Sequence, residues 1–198
     1  MSGASFWKDL LIDTLRTPRQ AAARVLAIDV PMSALWQIMA VEVIASLVLT
    51  HLADALTPGA GPSMMPMDMR NPFVTVLFVA AMTVILVLLV DRVGGLFGGK
   101  GDFTGAFKLV LWQQAVILVF QVAQLLSMVV LPPFAPLIGI ASYILTLWLL
   151  TNFVAELHGF RSRPLVFVGV LLTGILFGFV LIFVLQMLGL APPPMEMT

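Results

Sequence analysis

Glu42 is the residue of this chain best placed to do chemistry in an apolar environment. It lies near the middle of the apolar stretch Met32 to Leu56, where a carboxylate is usually functional or buried against a polar partner. Four glutamines of a later apolar stretch fall within about 100° of one helix face: Gln113, Gln114, Gln121 and Gln124. Asn152 and Glu156 could extend this polar set. Two interpretations follow: interhelical hydrogen bonds that fix packing, or a proton or ion path.

Methionines cluster in two segments that could bind a soft metal. These are Met64, Met65, Met67 and Met69 in one segment, and Met195 and Met197 in the other. Thioethers select copper(I), and His51 could contribute to the same site. Methionine is also a flexible apolar side chain, and the chain has 12 of them. The pattern favours apolar loop packing over a copper(I) site.

A glycine-rich loop has nearly the spacing of a phosphate-binding loop. Gly94 is followed after four residues by Gly99 and Lys100. The next residue is Gly101, however, where a phosphate loop requires Ser or Thr to hold magnesium, and the loop follows an apolar stretch and not a strand. We interpret it as a flexible turn between helices.

No set of catalytic residues is evident. The two histidines, His51 and His158, are predicted on opposite sides of a membrane, and the chain contains neither an HExxH nor a GxSxG motif. It has no cysteine, which excludes disulfides and thiolate chemistry. We therefore expect no enzyme activity and no cofactor.

The elements that must position these residues are transmembrane helices. Of the 198 residues, 61% are hydrophobic and 10% are charged, and the mean hydropathy is +1.09. The net charge is zero, and no cluster of Lys and Arg suits nucleic acid. Five stretches reach the roughly 20 apolar residues that a span needs: Met32 to Leu56, Pro72 to Val93, Phe103 to Leu131, Ala135 to Leu157 and Leu165 to Gly189. The fold class is therefore an all-α bundle of five transmembrane helices.

An adjacent proline pair separates the third and fourth spans. Pro132 and Pro133 remove two backbone donors and fix two φ angles. A tight turn between antiparallel helices is the least costly solution in a membrane. We predict a helical hairpin here.

Positive charge predicts the orientation. Cytoplasmic segments keep Lys and Arg during insertion, and nine of the ten basic residues fall in segments on one side of the five spans. The other side has only Arg70. We predict a membrane protein with a cytoplasmic N-terminus and a C-terminus on the opposite side.

The first 30 residues are predicted to form a cytoplasmic amphipathic segment. Apolar side chains recur on one helical face, namely Phe6, Trp7, Leu10, Leu11 and Leu15, and Pro18 can open a second short helix. The segment either lies in the membrane interface or packs under the ends of the spans. We assign residues 31–190 to the five-span domain and 191–198 to an external tail.

Small residues four apart can bring two helix backbones together. Gly174 and Gly178 have this spacing in the fifth span, and Ala135 with Gly139 repeats it in the fourth. We favour packing inside the bundle, with a homodimer contact as the alternative.

Three stretches together resemble the Yip family, the Ypt/Rab-interacting membrane proteins. The first is the loop Gly98, Gly99, Lys100, Gly101, Asp102 and Phe103, continuing through Phe107. The others are Thr17 to Arg19 ahead of the first span and Glu156 to Phe160 at the end of the fourth. The resemblance covers most of the chain and implies five spans with a cytoplasmic N-terminus.

The resemblance implies little about a specific role. Eukaryotic Yip proteins are linked to vesicle traffic and Rab GTPases through a long cytosolic N-terminal region, whereas about 30 residues precede the first span here. We therefore do not expect Rab binding. Compact members of this kind are mostly bacterial, so the resemblance implies a place in the bacterial inner membrane with the C-terminus in the periplasm. The leading hypothesis is a non-enzymatic membrane protein that acts with the lipid bilayer and with other membrane proteins or itself. Alternatives are a small transporter or channel that uses Glu42, and periplasmic copper(I) binding.

Overall fold

Seven α-helices make up the part of the chain that the computed structural model describes, residues 3–56 and 71–187. They are α1 (Gly3–Arg16), α2 (Pro18–Leu26), α3 (Met32–Leu56), α4 (Pro72–Leu96), α5 (Phe103–Val130), α6 (Ala135–His158) and α7 (Arg163–Met187). The helices α3 to α7 are long and apolar enough to cross a membrane. The five-span all-α fold class is confirmed.

Short polar caps and glycines set the helix ends. The Asn71 side chain accepts hydrogen bonds from the amides of Phe73 and Val74, at 3.0 and 3.4 Å, at the start of α4. Asp102 accepts from the Gly105 amide at 2.9 Å at the start of α5. Gly159 ends α6 in the left-handed conformation, with φ of 72°.

The spans differ slightly from their predicted limits. α4 continues three residues beyond the predicted Val93, because Gly94 and Gly95 remain helical and Gly98 supplies the left-handed turn, with φ of 81°. α7 begins two residues early, at Arg163. Its predicted end, Gly189, lies outside the described residues.

The proline pair produces the predicted hairpin. Residues Pro132–Phe134 form a single 3₁₀ turn between α5 and α6, which then pack along each other. A Cβ atom at Gly139 of α6 would lie 3.1 Å from the Gln124 amide nitrogen of α5. Gly139 therefore allows α6 to pack closely against α5 within the bundle.

The N-terminal helices pack against the spans. Leu10 of α1 and Ala21 of α2 are completely buried, in a cluster with Leu149 and Phe153 of α6. The outer side of α1 leaves Trp7 50% exposed, which suits a membrane interface. Packing under the spans is therefore present, and the remaining apolar face of α1 is free to contact lipid.

One end of the bundle collects α1, α2, the α4–α5 loop and the α6–α7 loop, and we call it the basic end. A hydrogen bond joins α5 to the segment after α2 at this end, because Lys108 Nζ donates to the Ile28 carbonyl at 2.7 Å. The buried core lies in the half of the bundle next to this end. Side chains from the first halves of α3 and α5 and from the last part of α6 form much of this core, for example Leu35, Phe107 and Phe153.

The helix α7 lies at the edge of the bundle. Its main neighbour is α6, and among the described residues Leu185 is its one buried side chain. In the described chain nothing lies within 4 Å of a Cβ atom placed at Gly174 or Gly178. These two glycines therefore make no close helix contact among the described residues, and their role in packing stays a prediction.

Candidate functional site

The three stretches that carry the family resemblance meet at the basic end, around His158. This side chain is 2% exposed and comes from the last turn of α6. Its Nε2 atom lies 2.9 Å from the Val90 carbonyl of α4, and its Nδ1 atom accepts from the Gly101 amide at 3.2 Å. The Lys100 amide donates to the His158 carbonyl at 3.3 Å. His158 thus joins α4, α6 and the loop before α5.

The hydrogen bonds define one form of the ring. A backbone carbonyl only accepts, so Nε2 carries a proton, and a backbone amide only donates, so Nδ1 carries none. The ring is therefore the neutral Nε2–H tautomer with both nitrogen atoms satisfied. Such a histidine is a structural connector and has no free nitrogen for a metal ion or a proton-transfer step.

Glycines surround the ring because no side chain fits there. A Cβ atom at Gly94 would lie 2.1 Å from His158 Nε2, and one at Gly99 would lie 2.3 Å from Nδ1. At Gly101 the nearest atoms would be a Leu157 carbon at 2.5 Å and the His158 ring at 2.9 Å. The glycine-rich loop is therefore not a free flexible turn, since its glycines pack around an imidazole.

Ion pairs attach the N-terminal helices to the same end. Arg19 Nε lies 2.8 Å from Glu156 Oε2, and both side chains are less than one-third exposed. Arg24 pairs with Asp13 and lies over the Phe6 ring. The Thr17 to Arg19 stretch thus contacts the Glu156 to Phe160 stretch through a partly buried salt bridge.

Lys100 and Asp102 are the charged residues of the loop, and both are exposed. The Lys100 backbone is held by the bond to His158. Phe103, the last motif residue, packs at 5.8 Å from the Phe107 ring, which is completely buried. The loop is therefore fixed at its base, with the Lys100 ammonium exposed close to the Asp102 carboxylate.

Glu42 is buried, at 8% exposure, in the core between α3 and its neighbours. Its Oε2 atom has no hydrogen-bond partner within residues 3–56 and 71–187. The predicted glutamine partners do not bond to it there. Gln114 Nε2 donates instead to Thr83 Oγ1 of α4 at 3.1 Å, and Gln124 packs against Gly139.

The other polar residues predicted around Glu42 are also separate from it. Gln113 and Gln121 each have a buried side-chain oxygen without a partner in the described chain, as does Asn152. The Asn152 amide donates to the Trp148 carbonyl of its own helix at 2.7 Å. Glu156 belongs to the salt bridge at the basic end. The polar set therefore consists of several local groups and not one hydrogen-bonded chain.

The methionine cluster of Met64, Met65, Met67 and Met69 lies outside the described residues. His51 lies within them and is exposed, with Nδ1 at 2.9 Å from the Leu47 carbonyl of its own helix. Among the described residues no group of three or more His, Asp or Glu side chains could hold a metal ion.

The central role of His158 was not found by reasoning from the sequence. A lone histidine at a helix end has no local signal, and its contacts to Gly101 and Val90 bridge 57 and 68 residues of chain. The available signal was indirect, since two of the resemblance stretches contain the histidine and the glycines around it.

Comparison with known proteins identifies a family for the chain. A model described as the Yip1 domain matches residues 12–185, a range that includes all three stretches at the junction. No curated protein and no solved structure matches the chain significantly. Because the family model covers most of the 198 residues, the chain belongs to the Yip1 domain family of membrane proteins.

Proposed function

We propose that this Yip1 domain protein is a non-enzymatic interaction partner that organises other membrane proteins, or further copies of itself, through its basic end. The observation that carries the proposal is the fixed loop around His158. Its backbone amides from Gly98 to Gly101 donate within the protein, and the Lys100 side chain remains exposed. A rigid support with an exposed charge suits binding better than chemistry, because less conformational entropy is lost on association.

Charge supports the placement of this surface in the cytoplasm of a bacterial cell. Nine of the ten basic residues belong to segments at the basic end, and cytoplasmic segments retain positive charge. The basic end would then bind acidic groups of cytoplasmic or membrane proteins.

Pull-down of the tagged full chain from native membranes in a mild detergent tests the interaction. Lys100→Glu reverses the charge at the loop surface without touching the His158 contacts, and should remove partners that bind there. Lys8→Glu is the matched control, because Lys8 is an exposed lysine of α1. Identical partners for both variants would contradict a binding role for the loop. The whole proposal fails if no stable protein partner is recovered while the purified protein moves a solute in liposomes.

Glu42 supports a second candidate, a small transporter or channel. The observation is its buried oxygen without a partner among the described residues, since carboxylates within spans often mark ion paths. Glu42→Gln should abolish pH-dependent flux into liposomes that contain the purified protein. Glu156→Gln is the control, as this carboxylate is paired at the basic end. Unchanged flux in Glu42→Gln removes Glu42 from the mechanism.

A further inference from the structure

A long apolar groove separates α4 from α7. Its volume is about 560 Å³, within the roughly 300–1,000 Å³ typical of small-molecule sites. Leu86, Val90 and Phe97 line the α4 side. Gly169, Thr173 and Phe177 line the α7 side, and α6 closes the back through Leu150 and Val154. The remaining side opens between two membrane-spanning helices, so bilayer lipid can reach it.

The groove has the depth of one lipid leaflet. From Leu86 to Phe97 the α4 lining spans eleven helical steps, which at 1.5 Å each is about 16 Å. The lining of α7 from Leu165 to Phe177 gives about 18 Å in the same way. One half of a hydrocarbon core of about 30 Å is about 15 Å. The groove therefore extends from the basic end to the middle of the bundle.

The open mouth of the groove is polar and positively charged. Arg161 and Ser162, in the loop between α6 and α7, line this end. Arg161 is exposed and forms no salt bridge with an acidic residue of the described chain. Phe160 lies beside it and stacks on the His158 ring at 5.6 Å between centroids. The junction around His158 thus supports one wall of the mouth.

We propose that this groove binds an anionic phospholipid from the leaflet on the basic side, with one acyl chain between α4 and α7 and the phosphate at Arg161. An acyl chain matches an apolar groove that is one leaflet deep, and the arginine matches the headgroup charge at the correct level. A transmembrane helix of another protein, or of a second copy, would need a groove that extends through both leaflets, whereas this groove extends through one. The proposal is independent of whether the basic end also binds a protein.

Native mass spectrometry of the purified full chain tests this site. The protein is delipidated in detergent and offered phosphatidylglycerol or phosphatidylcholine with identical acyl chains. Wild type should retain phosphatidylglycerol about fivefold better, the effect of roughly 1 kcal/mol for one basic residue at a membrane surface. Arg161→Gln should reduce this preference towards one. Arg163→Gln should keep it, because Arg163 does not line the groove.

A second pair of variants tests the acyl-chain position. Gly174 lines the groove and Gly178 does not, and both have open space at Cβ within the described chain. Gly174→Leu should fill the groove and weaken retention of both lipids severalfold, whereas Gly178→Leu should retain them as wild type does. Equal effects of the two leucine variants, or no effect of Gly174→Leu, would overturn the proposal. So would an unchanged headgroup preference in Arg161→Gln, or lipid-free dimers that appear in place of lipid-bound monomers.

Discussion

His158 packs so closely against Gly94 and Gly99 that neither position has room for a methyl group. The sequence indicates a glycine-rich loop and a histidine at a helix end, but nothing in it indicates that the two are in contact. The spacing of the glycines instead suggests an incomplete match to a phosphate-binding loop. Residue spacing reports only local geometry, whereas the contact with His158 joins segments that are distant along the chain. The resemblance to the family locates the residues, and the structure shows why their types are restricted.

Gly94→Ala should destabilise the protein through a clash with the His158 ring. The added carbon would lie 2.1 Å from Nε2, and overpacking of this kind typically costs about 1–3 kcal/mol. Gly95→Ala is the matched control, because nothing lies within 4 Å of its Cβ position in the described chain. Thermal unfolding of the purified variants in detergent should show a lower apparent Tm for Gly94→Ala alone. Equal apparent Tm values would show that the ring moves aside without cost.

The seven helices differ in how well the sequence predicts them. The span ends that the structure describes lie within about three residues of the predicted ones, because apolar length and helix-breaking residues are local signals. The N-terminal helices are recognised as amphipathic, but their partner is left open, since an apolar face looks the same whether it meets lipid or protein. The glycines of α7 have no identified partner for a related reason: their spacing permits close packing but does not specify a neighbour.

Thr14 should control the attachment of α1 to the bundle. This completely buried hydroxyl accepts a hydrogen bond from Trp112 Nε1 of α5 at 2.9 Å. Thr14→Val keeps the shape but leaves the indole N–H without this partner, a loss of about 1–3 kcal/mol. Limited trypsin digestion at Lys8 should therefore become faster.

Thr17→Val is the control for this experiment, because the Thr17 hydroxyl bonds to the Asp13 carbonyl of its own segment and not to a span. Digestion of this variant should proceed at the wild-type rate. If Thr14→Val and Thr17→Val are cleaved alike, the bond to Trp112 does not hold α1 in place.

At the scale of the whole molecule, charge and burial are concentrated at the same end. The basic segments and the N-terminal helices meet there, next to the half of the bundle that contains most of the core. The sequence predicts the charge asymmetry, because Lys and Arg can be counted in each loop. It does not predict the asymmetry of packing, since apolar residues continue along the whole length of each span.

The orientation of the molecule is tested with a reporter that is active only in the cytoplasm. Fused to the C-terminus, it should remain silent, because five spans separate this terminus from the basic end and positive charge retains that end inside. The same reporter fused to the N-terminus should be active. A signal from the C-terminal fusion would reverse the proposed orientation.

The uneven packing gives the bundle one half with many buried side chains and one half with few. In the half away from the basic end, the described parts of α3, α5 and α7 contribute few buried side chains, so spreading them there sacrifices little apolar contact. Lateral pressure in that leaflet can then change the width of the bundle while the core around His158 keeps its shape. We therefore expect changes in bilayer thickness and acyl-chain order to alter the helix spacing on that side first.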